Sequence, residues 1–121
     1  MNHLNTTLIE GILLEDPIEE TTGDGNKRTM FVVESVRFFQ RSNEIKSETY
    51  RFLVETWGKT AETCFKALEK GLGVRVVGYL KQTIEDFKVP GHSRLTFPVP
   101  SVRIVAECVD FKPQFEKKPT A

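Results

Sequence analysis

Apolar and polar side chains alternate with a period of two in several segments of this 121-residue chain. The alternation is clearest in TMFVVESVRFFQR (29–41) and SETYRFLVETW (47–57), which are separated by a short polar segment. A period of two is typical of strands with one buried face, and two such runs around a turn indicate a hairpin. The centre of the chain is therefore predicted to be a β-hairpin.

The spacing of apolar residues becomes helical only once, after Gly58. The helix is predicted to end at the sequence Gly71-Leu72-Gly73, because glycine commonly follows the last turn. An acidic residue in the first turn, Glu62, and basic residues in the last, Lys66 and Lys70, match the helix dipole. The apolar stripe consists of Ala61, Phe65, Leu68 and Leu72.

Two further strands are predicted to contain an internal glycine. NTTLIEGILL (5–14) predicts a first strand with a kink or bulge at Gly11, and VRVVGYLKQTI (74–84) predicts a strand that includes Gly78. Glycine inside a strand is typical of a bulge or of a close approach between backbones.

The last strand is predicted within 94–111, where Pro98 and Pro100 place its first part at an edge or in an irregular approach. The acidic segment 15–28 is expected to form a solvated loop or a wide hairpin tip, and 85–94 a loop. The order is then strand, strand, strand, helix, strand, strand. Without strand and helix in alternation, a parallel doubly wound sheet is excluded, and an all-β closed barrel plugged by one helix is favoured.

The length allows one domain, predicted as 1–111, followed by a Lys- and Pro-rich tail (112–121) that we expect to be flexible. Seventeen basic residues balance seventeen acidic ones, which argues against a strongly basic nucleic-acid binder. Up to Ser35, however, seven acidic residues face only Lys27 and Arg28, so a basic face is compatible with the neutral total from Arg37 onward. Two distant cysteines, Cys64 and Cys108, are expected to be buried and reduced. No membrane span or leader is recognised, so a cytoplasmic, nucleoid-associated protein is expected.

An enzyme is not expected. His3 lies near the N-terminus and His92 in a Pro-Gly turn, and neither has an obvious nucleophile as a partner. Metal-ligand spacing and phosphate-binding glycine loops are not found in the sequence, so no cofactor is expected. A divalent-metal nuclease using the acidic segment is the least supported alternative.

Several motifs share their order and spacing with one family. These are Asn5…Gly11-Ile12-Leu13…Asp16-Pro17, Thr49…Trp57-Gly58-Lys59…Ala61-Glu62, Leu68-Glu69-Lys70-Gly71 and Val74…Val76…Gly78…Leu80. The pattern resembles the bacterial single-stranded-DNA-binding proteins. The resemblance implies a five-stranded oligonucleotide-binding (OB) fold, a Greek-key barrel with a helix between strands 3 and 4. It also implies a homotetramer, with a dimer as the alternative, and binding of single-stranded DNA in replication, recombination and repair.

The resemblance also implies aromatic side chains that stack on bases. Two of these positions are kept as Phe39 and Trp57, whereas the other two fall on Arg51 and at about Glu85. Phe87, two residues after Glu85 on the same face of an extended chain, is a candidate to replace the lost aromatic. The DNA-binding residues expected on this basis are Arg37, Phe39, Arg41, Arg51, Trp57, Lys59, Lys70, Lys81, Phe87 and Lys88.

Aromatic residues in strands more often belong to the core than to a binding face. Trp57 is the better candidate for exposure, because it shares a face with Arg51 and Glu55, which are expected to reach solvent. The remaining aromatics are assigned to the core or to subunit contacts: Phe31, Tyr50, Phe52, Phe65 and Phe97.

A second interpretation is an adaptor similar to the primosomal relatives of this family, whose main role is protein interaction. The balanced charge, Arg51 and Glu85 favour it. The family commonly ends in an acidic tip that recruits replication and repair enzymes, whereas this sequence ends in FEKKPTA. Recruitment of such partners through an acidic tip is therefore not expected.

Overall fold

The computed structural model of the protein describes residues 2–92 and 94–112. Six strands and one helix follow one another in it. They are β1 (Thr7–Leu13), β2 (Ile18–Thr21), β3 (Lys27–Arg41), β4 (Glu44–Trp57), α1 (Gly58–Ala67), β5 (Gly73–Lys88) and β6 (Thr96–Lys112). Of the predicted flexible tail (112–121), residues 113–121 lie outside the described residues, and Lys112 is the last residue of β6.

Five of the strands close into a barrel. The sheet runs β1-β5-β6-β4-β3, and β3 pairs again with β1. Pairing is antiparallel except between β4 and β6, which run parallel at Val54 and Glu55. The short β2 pairs with the start of β3 outside this ring, so the acidic segment forms a hairpin tip. The predicted all-β barrel with one helix between its third and fourth strands is confirmed.

The core lies inside the barrel, and α1 packs over one of its ends. Its members are Leu13, Phe31, Val33, Val54, Cys64, Leu68, Val74, Val76, Ile104 and Ala106. Two buried threonines hold the helix in place, since Thr29 Oγ1 donates to the Ala61 carbonyl (2.8 Å) and Thr56 Oγ1 donates to the Thr29 carbonyl (2.7 Å).

The helix is shorter than predicted. It ends at Ala67, because Leu68 is extended and places its side chain in the core. The next residues bond to β1 instead: the Gly71 N–H donates to the Leu13 carbonyl, and the Leu13 N–H donates to the Leu72 carbonyl. Lys70 is therefore outside the helix. The first turn of the helix contains no acidic residue, so the predicted place of Glu62 in that turn is wrong.

The two internal glycines allow backbones to approach closely. A Cβ at Gly78 would overlap the Val105 carbonyl, and the β5–β6 register shifts at this residue, which marks a bulge in the strand. A Cβ at Gly11 would overlap the Glu34 carbonyl, yet the β1–β5 register continues unbroken. Gly11 therefore marks the contact of β1 with β3, and the bulge that was one of its two predicted forms does not interrupt the β1–β5 pairing.

Beyond the barrel, β5 and β6 continue as a two-stranded arm. Residues 85–88 are paired with 96–99 and are strand, not the predicted loop. β6 pairs with β4 only at Ile104 and Val105, so Pro98 and Pro100 lie on an open edge, as predicted.

Burial of the cysteines and aromatics differs in part from expectation. Cys64 is buried, and burial raises the pKa of its thiol to about 11. Cys108 is exposed, because β6 turns it outward after the bulge. Phe31 lies in the core, whereas Tyr50, Phe65 and Phe97 are more than two-fifths exposed and do not. Among the described helices, none is long and apolar enough to cross a membrane.

Candidate nucleic-acid interface

The register of the β3–β4 hairpin decides which candidate residues meet. Ser42 and Asn43 both have positive φ (52° and 65°) and form a two-residue turn. Arg41 therefore pairs with Glu44, and the ladder continues without a shift to Arg28 opposite Trp57.

This register separates the two aromatics that the sequence placed together. Phe39 lies opposite Lys46 near the tip, whereas Trp57 lies opposite Arg28 at the base. The distance along the ribbon is about 36 Å, at a strand rise of about 3.3 Å per residue. Because side chains alternate between faces, Trp57 and Phe39 also lie on opposite sides of the hairpin. The structure does not bring them into one site.

The side of the sheet that carries Trp57 is the outer face of the barrel. We call it the Trp57 face and define it by Arg28 of β3, Arg51, Glu55 and Trp57 of β4, Lys81 and Phe87 of β5, and Arg103 of β6. Register connects them, since Lys81 pairs with Arg103, and Glu55 pairs with Val105 beside Arg103.

Glu55 is the centre of this face. It was expected to reach solvent with Trp57, but its side chain has no exposed area. The Trp57 indole N–H donates to it at 2.8 Å, Arg103 at 3.2 Å, Lys81 at 3.3 Å and Arg28 at 3.5 Å. The same Arg28 guanidinium lies over the Trp57 ring, 5.4 Å from its centroid. Trp57 is half-buried and held on two sides.

The network keeps Glu55 ionised. Burial alone would raise the pKa of this carboxyl. Hydrogen bonds from Trp57, Lys81 and Arg103, with the charge of Lys81, outweigh burial and lower the pKa below its usual value. The side chain thus accepts hydrogen bonds as a carboxylate at neutral pH.

The Trp57 face is balanced in charge rather than basic. Each of its basic side chains is paired with an acid: Arg28 with Glu20 and Glu55, Arg51 with Glu34, Lys81 with Glu55, and Arg103 with Glu55 and Glu85. The excess of basic residues after Arg37 is therefore not concentrated around the indole.

Phe87 lies on the arm, on the same side as Lys81 and Glu85, as the period-two pattern predicted. Its ring is about half exposed and is 5.3 Å from the ring of Phe97, which faces it across the arm. Glu85 forms an ion pair with Arg103 at 3.5 Å, so this acid is partly neutralised. Two adjacent aromatic rings therefore extend the Trp57 face outward.

The opposite side of the hairpin carries Phe39 and Arg37, whose guanidinium lies 5.4 Å from the ring centroid. Arg37 also pairs with Glu48 at 3.8 Å. The Tyr50 hydroxyl donates to Glu48, and this bond raises the pKa of Tyr50. Nearby, a groove of about 850 Å³ separates this side of the hairpin from Ile9 of β1.

The other predicted cations are scattered. Lys59 borders a groove of about 320 Å³ between α1 and the end of β6. Lys70 lies 3.9 Å from Glu15, and its backbone N–H donates to Asp16. Arg41 and Lys88 are exposed at the ends of β3 and β5.

Arg28 and Arg103 were not predicted as site residues. The turn Ser42-Asn43 carried the signal for Arg28, because a two-residue turn fixes the register and places Arg28 across from Trp57. Arg103 lies opposite Lys81 in the β5–β6 pairing, whose register shifts at the Gly78 bulge. No pattern in the sequence specifies that register. In the described part of the chain, no group of three metal-ligating side chains occurs.

A model of the single-strand binding protein family matches residues 4–110, nearly all of this barrel. The chain belongs to that family. The resemblance inferred from the motifs is confirmed, and the family is one of non-enzymatic proteins that bind single-stranded DNA. A search of curated proteins found no significant match.

Solved structures of the family share the fold. A structure described as the SSB of Plasmodium falciparum in complex with ssDNA is 21% identical, with a TM-score of 0.75 over 93% of this chain and 97% of that one. A deletion mutant of the single-stranded DNA binding protein from Thermus aquaticus is 23% identical, with a TM-score of 0.71 over 90% of this chain and 50% of that one. At this identity the likeness concerns the fold.

Proposed function

We propose that the chain binds single-stranded DNA without sequence preference on the Trp57 face and acts in replication, recombination and repair. Family membership supports DNA binding. The observation that carries the choice of surface is the half-buried Trp57 ring, held by Glu55 and Arg28 on an otherwise open outer face.

Stacking supplies the sequence tolerance. Base stacking on an aromatic side chain contributes about 1–3 kcal/mol per base and accepts any base, because every base has a π-face. Trp57 provides one such ring, and Phe87 with Phe97 provides another along the arm. A strand that follows β5 from the barrel to the arm meets both positions. Phe39 then serves a longer strand that passes around the hairpin tip.

Phosphate contacts come from the cations that reach solvent. Arg51 on the Trp57 face is 64% exposed in its side chain, and Arg37 at the tip is equally exposed. Both form weak ion pairs that a phosphate can replace. Arg41, Lys59, Lys70 and Lys88 extend the cationic path at the margins, whereas Lys81 contributes least because Glu55 engages its ammonium group.

The test is tryptophan fluorescence with oligo-dT, since Trp57 is the sole tryptophan. Binding is expected to quench the emission and to weaken as salt rises, because phosphate contacts release counterions. A fluorescein-labelled oligo-dT followed by anisotropy gives an independent readout. Unchanged emission together with unchanged anisotropy at low salt would reject the proposal.

The balanced charge of the Trp57 face favours a second candidate, an adaptor that mainly contacts proteins. Sedimentation distinguishes the two, because a tetramer suits a protein that wraps a strand and a dimer suits the adaptor. The exposed rings of Tyr50 and Phe65 are the surfaces we propose for subunit contacts. A cytoplasmic, nucleoid-associated location follows from either role.

A further inference from the structure

Glu55 is an unusual residue for a surface that receives a polyanion. A carboxylate there repels phosphate, yet this one is fully buried under the face and contacts three cations at once. Two other acids, Glu20 and Glu85, pair with the same cations from the solvent side.

The cations are drawn inward by this carboxylate. The side chains of Arg103 and Arg28 are only 12% and 24% exposed, and the Nε atoms of both are buried without a hydrogen-bond partner. Each guanidinium directs its Nη1 at Glu55, while its Nη2 pairs with Glu20 in the case of Arg28 and with Glu85 in the case of Arg103. Lys81, at 42% exposure, is the most accessible of the three.

A phosphate competes poorly for cations held in this way. Removing a partner from a buried carboxylate leaves an uncompensated charge inside the protein, which costs far more than an exposed ion pair returns. The carboxylate therefore keeps its cations when a strand arrives.

We propose that Glu55 is a positioning residue that withholds Arg28, Lys81 and Arg103 from the DNA backbone. The Trp57 face then binds a strand through stacking on a fixed indole and through fewer phosphate contacts than its basic residues would allow. This inference rests on the proposed function.

The salt dependence of oligo-dT binding measures how many phosphate contacts the protein makes. For single strands, the slope of log K against log salt changes by about −0.7 for each phosphate neutralised. Glu55→Gln keeps an oxygen for the indole N–H but removes the charge, so we expect a slope steeper by at least one contact. The matched control is Glu85→Gln, which removes the same negative charge at an exposed position on the same face and is expected to change the slope less.

A charge-matched variant separates release of the cations from net charge and guards against misfolding. Glu55→Gln with Arg103→Gln has the charge of the parent and leaves fewer cations uncompensated. It should still steepen the slope, since Arg28 and Lys81 are released. Circular dichroism verifies the fold of each variant.

The outcomes are separable. Parental protein that binds oligo-dT, with Glu55→Gln no steeper than the parent or no steeper than Glu85→Gln, overturns the role of Glu55 alone. A charge-matched variant that keeps the parental slope overturns that role as well. Parental protein that binds no oligo-dT at low salt rejects the proposed function itself.

Discussion

The two ends of the β3–β4 hairpin contain the same contact in different surroundings. At the base, Arg28 lies 5.4 Å from the centroid of Trp57, and at the tip, Arg37 lies 5.4 Å from that of Phe39. The first pair surrounds the buried carboxylate of Glu55, whereas the second pair lies beside an acid, Glu48, that is 45% exposed.

The two ends differ in the burial of their acid and not in the cation–π distance, so we expect the acid to set how firmly each arginine is held. A buried carboxylate requires its donors, so Arg28 and the indole are held together. An exposed ion pair gains little and is screened by salt, so Arg37 is free to rearrange. We therefore expect the Trp57 end of the hairpin to be pre-formed for stacking and the Phe39 end to rearrange when a DNA strand binds.

The largest expected difference is in stability. Glu55→Gln should lower the free energy of unfolding by about 3 kcal/mol, at the low end for breaking a buried ion pair because glutamine keeps an acceptor. Glu48→Gln at the tip should cost less than about 1 kcal/mol. Urea denaturation measures both, and equal losses would show that the two ends do not differ.

The next difference is in binding. Trp57→Ala should weaken oligo-dT binding by about 5- to 150-fold, the range of a lost stacking platform. Phe39→Ala should have a smaller effect, above all on an oligo-dT of about six nucleotides, near the lower end of site sizes for this fold. Anisotropy of a labelled oligonucleotide reports both variants. A greater loss for Phe39→Ala on the short strand would place the primary site at the tip.

Lowering the pH should destabilise the Trp57 end of the hairpin by protonating Glu55. Its pKa in the folded chain lies below the ordinary value of 4.5, so its stabilising contribution is complete above that pH and is lost as pH falls through the folded pKa. The free energy of unfolding should therefore fall more between pH 5 and lower pH in the parent than in Glu55→Gln. Denaturation at several pH values tests this, and parallel curves for the two proteins would contradict it.

The sequence predicted the barrel because its strands obey local rules. Alternation in β3 and β4, the glycine at the β5 bulge and the prolines on the open edge of β6 each act on their own neighbours. The predicted end of the helix was wrong because two residues make contacts that are distant in sequence. Leu68 packs in the core, and the Leu72 carbonyl accepts a hydrogen bond from β1.

The site was predicted only in part. Trp57 was singled out correctly as a partly exposed ring, but the reason holds only for Arg51, since the Glu55 on the same face is buried. Burial of a glutamate depends on three cations supplied by three different strands, and no local pattern brings them together. The separation of Phe39 from Trp57 was available in principle, because the Ser42-Asn43 turn sets the register.

The smallest expected effect concerns the two arginines themselves. Arg37 is 64% exposed and 3.8 Å from its acid, so it can turn to a phosphate, and Arg37→Gln should make the salt slope of oligo-dT binding shallower by about 0.7. Arg28 is engaged by Glu55 and Glu20, so Arg28→Gln should change the slope by less, although both variants lose one positive charge. Equal changes would mean that net charge alone sets the salt dependence. A larger change for Arg28→Gln would mean that Arg28 contacts the DNA backbone in the complex, and that Glu55 does not hold it.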